Sequence, residues 1–199
     1  MTAVAGIAPE DVLADLRNRY AEPHRRYHTW AHIEALLGWF ALRRDHLHDP
    51  VAVELAILFH DAVYDPARSD NETQSAQLLR DADLPDVSDD MRLRAIRMIE
   101  ATAAHALAED CSEDDRSDMA AFLDMDLSIL GAAPAVFEGY ERAVRDEYAF
   151  VPEALFRAAR RGILERFLER PTLYFSDWGR ERFEARARSN LAASIAALR

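Results

Sequence analysis

The chain has 199 residues, a formal net charge of -12 at pH 7, and 24 basic residues that are all Arg. Its length suits one domain with a core of its own. The charge argues against a nucleic-acid footprint, which needs a basic surface to displace counterions. The lone Cys111 excludes an intrachain disulfide and a multi-thiolate zinc site, and the absence of Lys excludes Schiff-base, pyridoxal phosphate and phosphate-loop chemistry.

No run of about 18 uncharged apolar residues is present, so no membrane span is expected. The N-terminus is acidic and lacks a basic segment ahead of an apolar one. The expectation is a soluble, cytoplasmic protein in a reducing compartment. Because Arg supplies every basic residue, the number of Arg is no functional signal.

Apolar residues recur at three and four, the period of packed helices, and no alternating β-branched run suggests a sheet. Helices are predicted over 9–21, 27–45, 50–62, 70–83, 89–108, 114–131, 134–149, 152–169 and 177–198. The expected fold is all-α, a single-domain helical bundle over residues 1–199. Asp49-Pro50 and Ala133-Pro134 place Pro in the first turn of a helix, and Asp65-Pro66 makes a turn.

Arg25 and Arg26 come first among the candidate residues, since guanidinium forks suit a phosphate; a solvated pair explains them equally well. His28 and His32, in YHTWAHIEALLGWF, stand one helical turn apart on a face shared with Ala35, Leu36 and Trp39. They could serve one metal, or divide into a ligand and a group that acts on substrate. A pair of core histidines bonded to carbonyls is the alternative. His46 and His48 read as surface residues, and His24 as a loop residue.

The segment VAVELAILFHDAVY, residues 51–64, is apolar on nearly every side and predicts a buried central helix. His60 and Asp61 within it face a desolvation cost of several kcal/mol, on the order of that of a buried ion, unless a cation pairs with them. A metal would do so; a His-Asp hydrogen bond, or a doublet that meets water at the helix end, would also account for them.

Further on, Ser69-Asp70-Asn71-Glu72 spells a capping box, which competes with a catalytic or substrate-binding role for Glu72. His105 ends a stripe of Met91, Ala95, Met98 and Thr102 and is either at the site or at a helix end. In MAAFLDMDLSIL the two aspartates lie about 160° apart on a helix. Asp126 falls in the apolar stripe with Met119, Phe122, Leu123, Ile129 and Leu130, whereas Asp124 falls opposite with Ala121 and Ser128.

His32, the His60-Asp61 doublet and the distant Asp126, in this order and on predicted helices, resemble the HD superfamily of metal-dependent phosphohydrolases. The stretches PHRRYHTWAHI, LAILFHDAVYDP, DNETQSA and FLDMDLSILG resemble one bacterial branch of that superfamily over most of the chain. The resemblance implies that His32, His60, Asp61 and Asp126 ligate a divalent metal, Mn²⁺, Fe²⁺, Mg²⁺ or Zn²⁺. It also implies hydrolysis of a small phosphorylated substrate by activated water, with Asp61 at the reaction centre.

The spelling YHTWAHI with a later DLS is similar to cyclic nucleotide phosphodiesterases, which implies that His28 protonates the leaving oxygen. The chain departs from branches that read HD-x-Gly-Lys, since Ala62-Val63 follow the doublet. Two other functions stay open: a non-catalytic metal-containing module that binds a nucleotide or partner, and a di-iron oxygenase using His105 and Glu72 as added ligands.

Overall fold

The computed structural model describes residues 7–199, and every regular element among them is helical. The elements are α1 (Glu10–Tyr20), α2 (Trp30–Arg43), α3 (Pro50–Phe59), α4 (Asn71–Asp81), α5 (Asp89–Thr102), α6 (Glu113–Asp126), α7 (Pro134–Glu147), α8 (Glu153–Glu169), the single turn α9 (Asp177–Gly179) and α10 (Ala185–Ala197). All nine predicted segments hold a helix, and the differences concern where the helices start and stop. No single helix among the described residues is long and apolar enough to cross a membrane.

Three of those differences bear on the candidate residues. The segment expected to be helical from 27 begins at Trp30, because Thr29 is extended (φ -114°, ψ 175°) and acts as the N-cap. Helix α3 ends at Phe59 rather than 62, so the His60-Asp61 doublet sits just past a helix end. Helix α5 ends at Thr102 rather than 108, and His105 follows in a turn with a left-handed φ of 43°, a conformation in which His is among the more tolerant side chains.

Further along, the helix expected over 114–131 gives way after Asp126 to a 3₁₀ segment over Leu127–Gly131. The segment expected over 177–198 is interrupted by a π turn over Arg180–Glu184.

Two compact units divide the chain, the first reaching Met125 and the second running from Asp126 to Arg199. In the first unit α3 is the centre and packs on α2, α4 and α5, while α4 packs along α5. Every residue from Ala52 to Phe59 is buried, including Glu54. Each Val, Leu, Ile or Phe withdrawn from water in this way contributes about 1.5–3 kcal/mol, which is why a 10-residue helix holds its place.

The start of α3 is capped by the Asp49 carboxylate, which accepts from the Ala52 N–H at 3.0 Å, and Pro50 fills the first turn as predicted. Asp118 on α6 accepts from the main-chain N–H groups of His48 (2.9 Å) and Asp49 (2.6 Å) and so ties α6 to this end of α3.

In the second unit α10 packs on α8 and on the Leu127–Gly131 segment. The Asn190 amide donates to the carbonyls of Leu130 (2.8 Å) and Ala132 (3.0 Å), and the Tyr174 hydroxyl donates to that of Leu127 (2.9 Å). Gly131 is required by close approach, because a Cβ there would come within 2.6 Å of the Phe183 Cβ. Arg160 is held by Glu141 and Tyr140.

Candidate metal centre

At the C-terminal end of α3 the His60 ring turns its Nδ1 to the Ile57 carbonyl at 3.0 Å. A carbonyl only accepts, so Nδ1 carries the proton, and in the neutral ring Nε2 presents a lone pair. His60 Nε2 lies 3.2 Å from Nε2 of His32 and 3.0 Å from Oδ2 of Asp61; the third edge, His32 Nε2 to Asp61 Oδ2, is 3.9 Å.

At these distances the three atoms share either a proton or a cation. Ligands about 2.1 Å from a divalent ion lie roughly 3.0 to 3.4 Å apart for octahedral to tetrahedral angles, close to two of the three edges found here. The donor set therefore fits a metal, and His32, His60 and Asp61 form a group able to hold one. The carbonyl bond to His60 Nδ1 is the support that orients metal-ligating imidazoles and raises their basicity.

Burial is graded across the group. His32 and His60 are buried, whereas the Asp61 side chain keeps 21% of its surface exposed and faces the open side. Burial alone pushes the Asp61 carboxyl up, but His60, His28 and His32, together with the His60 hydrogen bond, outweigh it and hold that carboxyl well below its ordinary range. Asp61 is thus an anion throughout the neutral range, as a ligand or a proton acceptor must be.

Aromatic rings enclose the group. The Phe122 ring on α6 meets His60 edge-on at 5.8 Å between centroids, and Tyr27 lies 4.8 Å from His32. His28 stacks on Tyr64 at 4.1 Å and lies 6.4 Å from His32, ring to ring. Because His28 precedes α2, helical spacing does not bring these two imidazoles together; the extended Thr29 and the stack on Tyr64 do. Tyr64 was not among the sequence candidates, although an aromatic three residues beyond the doublet was a visible signal.

The main chain of residues 61–65 is held by side chains at every position. Arg25 donates from Nη1 to the Asp61 carbonyl (2.7 Å) and from Nη2 to that of Ala62 (3.2 Å). Ser75 Oγ accepts from the Val63 N–H (3.0 Å) and donates to its carbonyl (3.3 Å). His24 Nε2 donates to the Tyr64 carbonyl (2.7 Å), and the Asn71 amide accepts from the Asp65 N–H (3.1 Å) and donates to the Asp65 carbonyl (2.9 Å). The DNETQSA stretch owes two of its residues, Asn71 and Ser75, to this work.

The remaining candidates find different places. Arg25 is 3% exposed, with four guanidinium contacts committed to the carbonyls of His28, Asp61 and Ala62 and to the Glu22 carboxylate. It is a buried clamp on main chain and not a fork presented to a phosphate. Arg26 is exposed and bonds the carbonyls of Pro23 and Arg25.

The capping box does not form. The N-cap is Asp70, one residue later than the box requires, and its carboxylate pairs with Arg68, which leaves Glu72 in the first turn without a capping role. Glu72 and His105 are both half-buried, and neither belongs to the converging group.

Asp124 corrects the helical-wheel reading. It is fully buried, and Ala121 and Ser128 are buried too, so the side read as outward is not exposed; α6 is buried at every position from Asp118 to Met125. Inside-versus-outside phase therefore does not separate the two aspartates. Asp126 is half-buried, ends α6 and opens the second unit, and it does not belong to the converging group. Comparison of the chain with protein-family models, curated proteins and solved structures gives no match.

Proposed function

We propose that the chain is a metal-dependent phosphohydrolase acting on a small phosphorylated molecule, with His32, His60 and Asp61 holding a divalent ion. The observation that carries this reading is the set of two imidazole Nε2 atoms and one carboxylate oxygen, 3.0, 3.2 and 3.9 Å apart, beside a His60 whose tautomer is set by the Ile57 carbonyl. The HD resemblance implies Asp126 as a fourth ligand, beyond the three residues that converge. A divalent ion in such a site lowers the pKa of water to supply the nucleophile and offsets the negative charge of a phosphate.

The chain's own residues have distinct tasks. His32 and His60 are buried and give the site fixed nitrogen donors, while Asp61 closes its solvent side as an anion. His28 is half-buried, with its ring held against Tyr64, and is the general acid that protonates the leaving oxygen. The Tyr27 and Phe122 rings pack against the imidazoles and keep bulk water from their flanks. Arg25, buried and committed to main-chain carbonyls, is not a phosphate ligand.

The test is a panel of phosphomonoesters, phosphodiesters and phosphoanhydrides assayed with Mn²⁺, Mg²⁺, Fe²⁺ or Zn²⁺, alongside metal analysis of the purified chain. Metal-dependent turnover that His28→Ala lowers mainly in kcat, with metal content unchanged, supports the assignment. Stoichiometric metal with no turnover on any phosphoester would move the chain to a non-catalytic metal module. Two irons per chain would favour the oxygenase.

A further inference from the structure

We infer that Arg25 is a positioning residue for the metal centre: its guanidinium sets the reach of the Asp61 carboxylate and the placement of His28 by clamping the main chain of both. The inference rests on the metal reading given above and adds to it a residue with no ligand atom of its own.

The case begins with where the charge lies. Arg25 is 3% exposed, and its guanidinium lies between two rings, 5.1 Å from the Tyr20 centroid and 5.4 Å from that of Tyr64. Cation-π contacts of this kind are strongest when desolvated. Its Nη1 donates both to the Asp61 carbonyl at 2.7 Å and to the His28 carbonyl at 3.1 Å, and its Nη2 donates to Ala62 at 3.2 Å. One rigid fork thus joins the segment ahead of α2, which carries His28, to the segment after α3, which carries Asp61.

The placement also answers two local needs. Past the end of α3 the carbonyls of Asp61 and Ala62 lie beyond the helix's own N–H groups, and a buried carbonyl left without a donor is costly. A cation is favoured at the negative end of a helix. With its main chain held, the Asp61 side chain is aimed at His60 Nε2, 3.0 Å away. A Lys in this place would carry the charge without the planar fork that spans three carbonyls.

The experiment titrates the full chain with Mn²⁺ by calorimetry and follows thermal unfolding by circular dichroism. Arg25→Gln should keep its helices yet bind Mn²⁺ at least about tenfold more weakly, the loss typical of residues that support metal ligands. Ile99→Ala, a fully buried change on α5, serves as a destabilised control and should keep wild-type affinity. Wild-type affinity in folded Arg25→Gln, or an equal loss in Ile99→Ala, overturns the inference.

If Arg25→Gln does not fold, Arg25→Lys decides: weakened Mn²⁺ binding in the folded variant supports positioning by the fork, and unchanged binding overturns it. A wild-type chain that binds no Mn²⁺ overturns the metal reading alone. Arg25 is then judged by the crystal structure of the folded variant. An Asp61 carboxylate that has left its 3.0 Å contact with His60 supports the inference, and an unmoved one refutes it.

Discussion

The two ends of α3 treat charge differently. At the N-terminal end, carboxylates meet donors: Asp49 caps the helix, and both oxygens of Asp118 accept main-chain N–H groups. At the C-terminal end, two imidazoles and a carboxylate converge, and the cation nearby, Arg25, is spent on main-chain carbonyls and the Glu22 carboxylate. The first arrangement is electrostatically complete with protein atoms alone. The second leaves a group able to hold a cation, which on the proposed function makes one end of the helix structural and the other chemical.

The largest expected effect breaks the chemical end. Asp61→Ala removes the only anionic member of the converging group, and Mn²⁺ affinity by calorimetry should fall by more than about a hundredfold, the upper end for residues that merely support a ligand. A smaller loss would mean that Asp61 is not a ligand. Thermal stability in EDTA should change far less than metal binding does.

Next comes the structural end. Asp118→Ala leaves the His48 and Asp49 N–H groups without their carboxylate. Urea unfolding should show a loss of about 2 kcal/mol or more, with Mn²⁺ affinity unchanged. Coupled losses of stability and affinity would erase the distinction between the two ends. Asp49→Ala deletes the cap bond to Ala52 and a 3.8 Å ion pair with Arg94 and should cost about 1 kcal/mol, again without altering metal binding.

The smallest effect is a pair of opposite pH slopes. The Asp61 carboxyl is held below its ordinary value, so the stability it contributes is present above that value and is lost as pH falls through the folded one. Burial pushes the Asp118 carboxyl up, partly offset by the His48 and Asp49 N–H groups, so its contribution is fullest below the ordinary value and declines as pH rises through the folded one. Unfolding in EDTA between about pH 3 and pH 7 should therefore show the cost of Asp61→Ala shrinking toward acid and that of Asp118→Ala growing. Parallel slopes would contradict the assignment of either carboxylate.

Much of the site was legible in the residues. The burial of α3 follows from its apolar run, and His60 and Asp61 stood out because nothing else in that run resembles them. His32 was found by its place on the inner face of α2. Asp126 was distinguished from Asp124 by helical phase, an argument that fails once α6 proves buried on every side. The capping box at Ser69 to Glu72 failed for a related reason, since Asn71 is drawn to Asp65 and the helix begins a residue later than the box needs. Arg25 was singled out as a phosphate fork, but its role as a main-chain clamp was not legible, because an Arg beside another Arg looks solvated until its distant partners are known.

Local chemistry by itself determined the all-helical fold, most helix boundaries to within a few residues and three of the four residues read as ligands, His32, His60 and Asp61, because period, caps and proline act over a few neighbouring positions. Only the tertiary structure decided which nitrogen of His60 faces His32 and Asp61, where the chain leaves α3, and that Arg25 serves carbonyls 36 and 37 positions away. Those outcomes depend on which groups are left to satisfy one another after the core closes, a question that spacing along the chain does not pose.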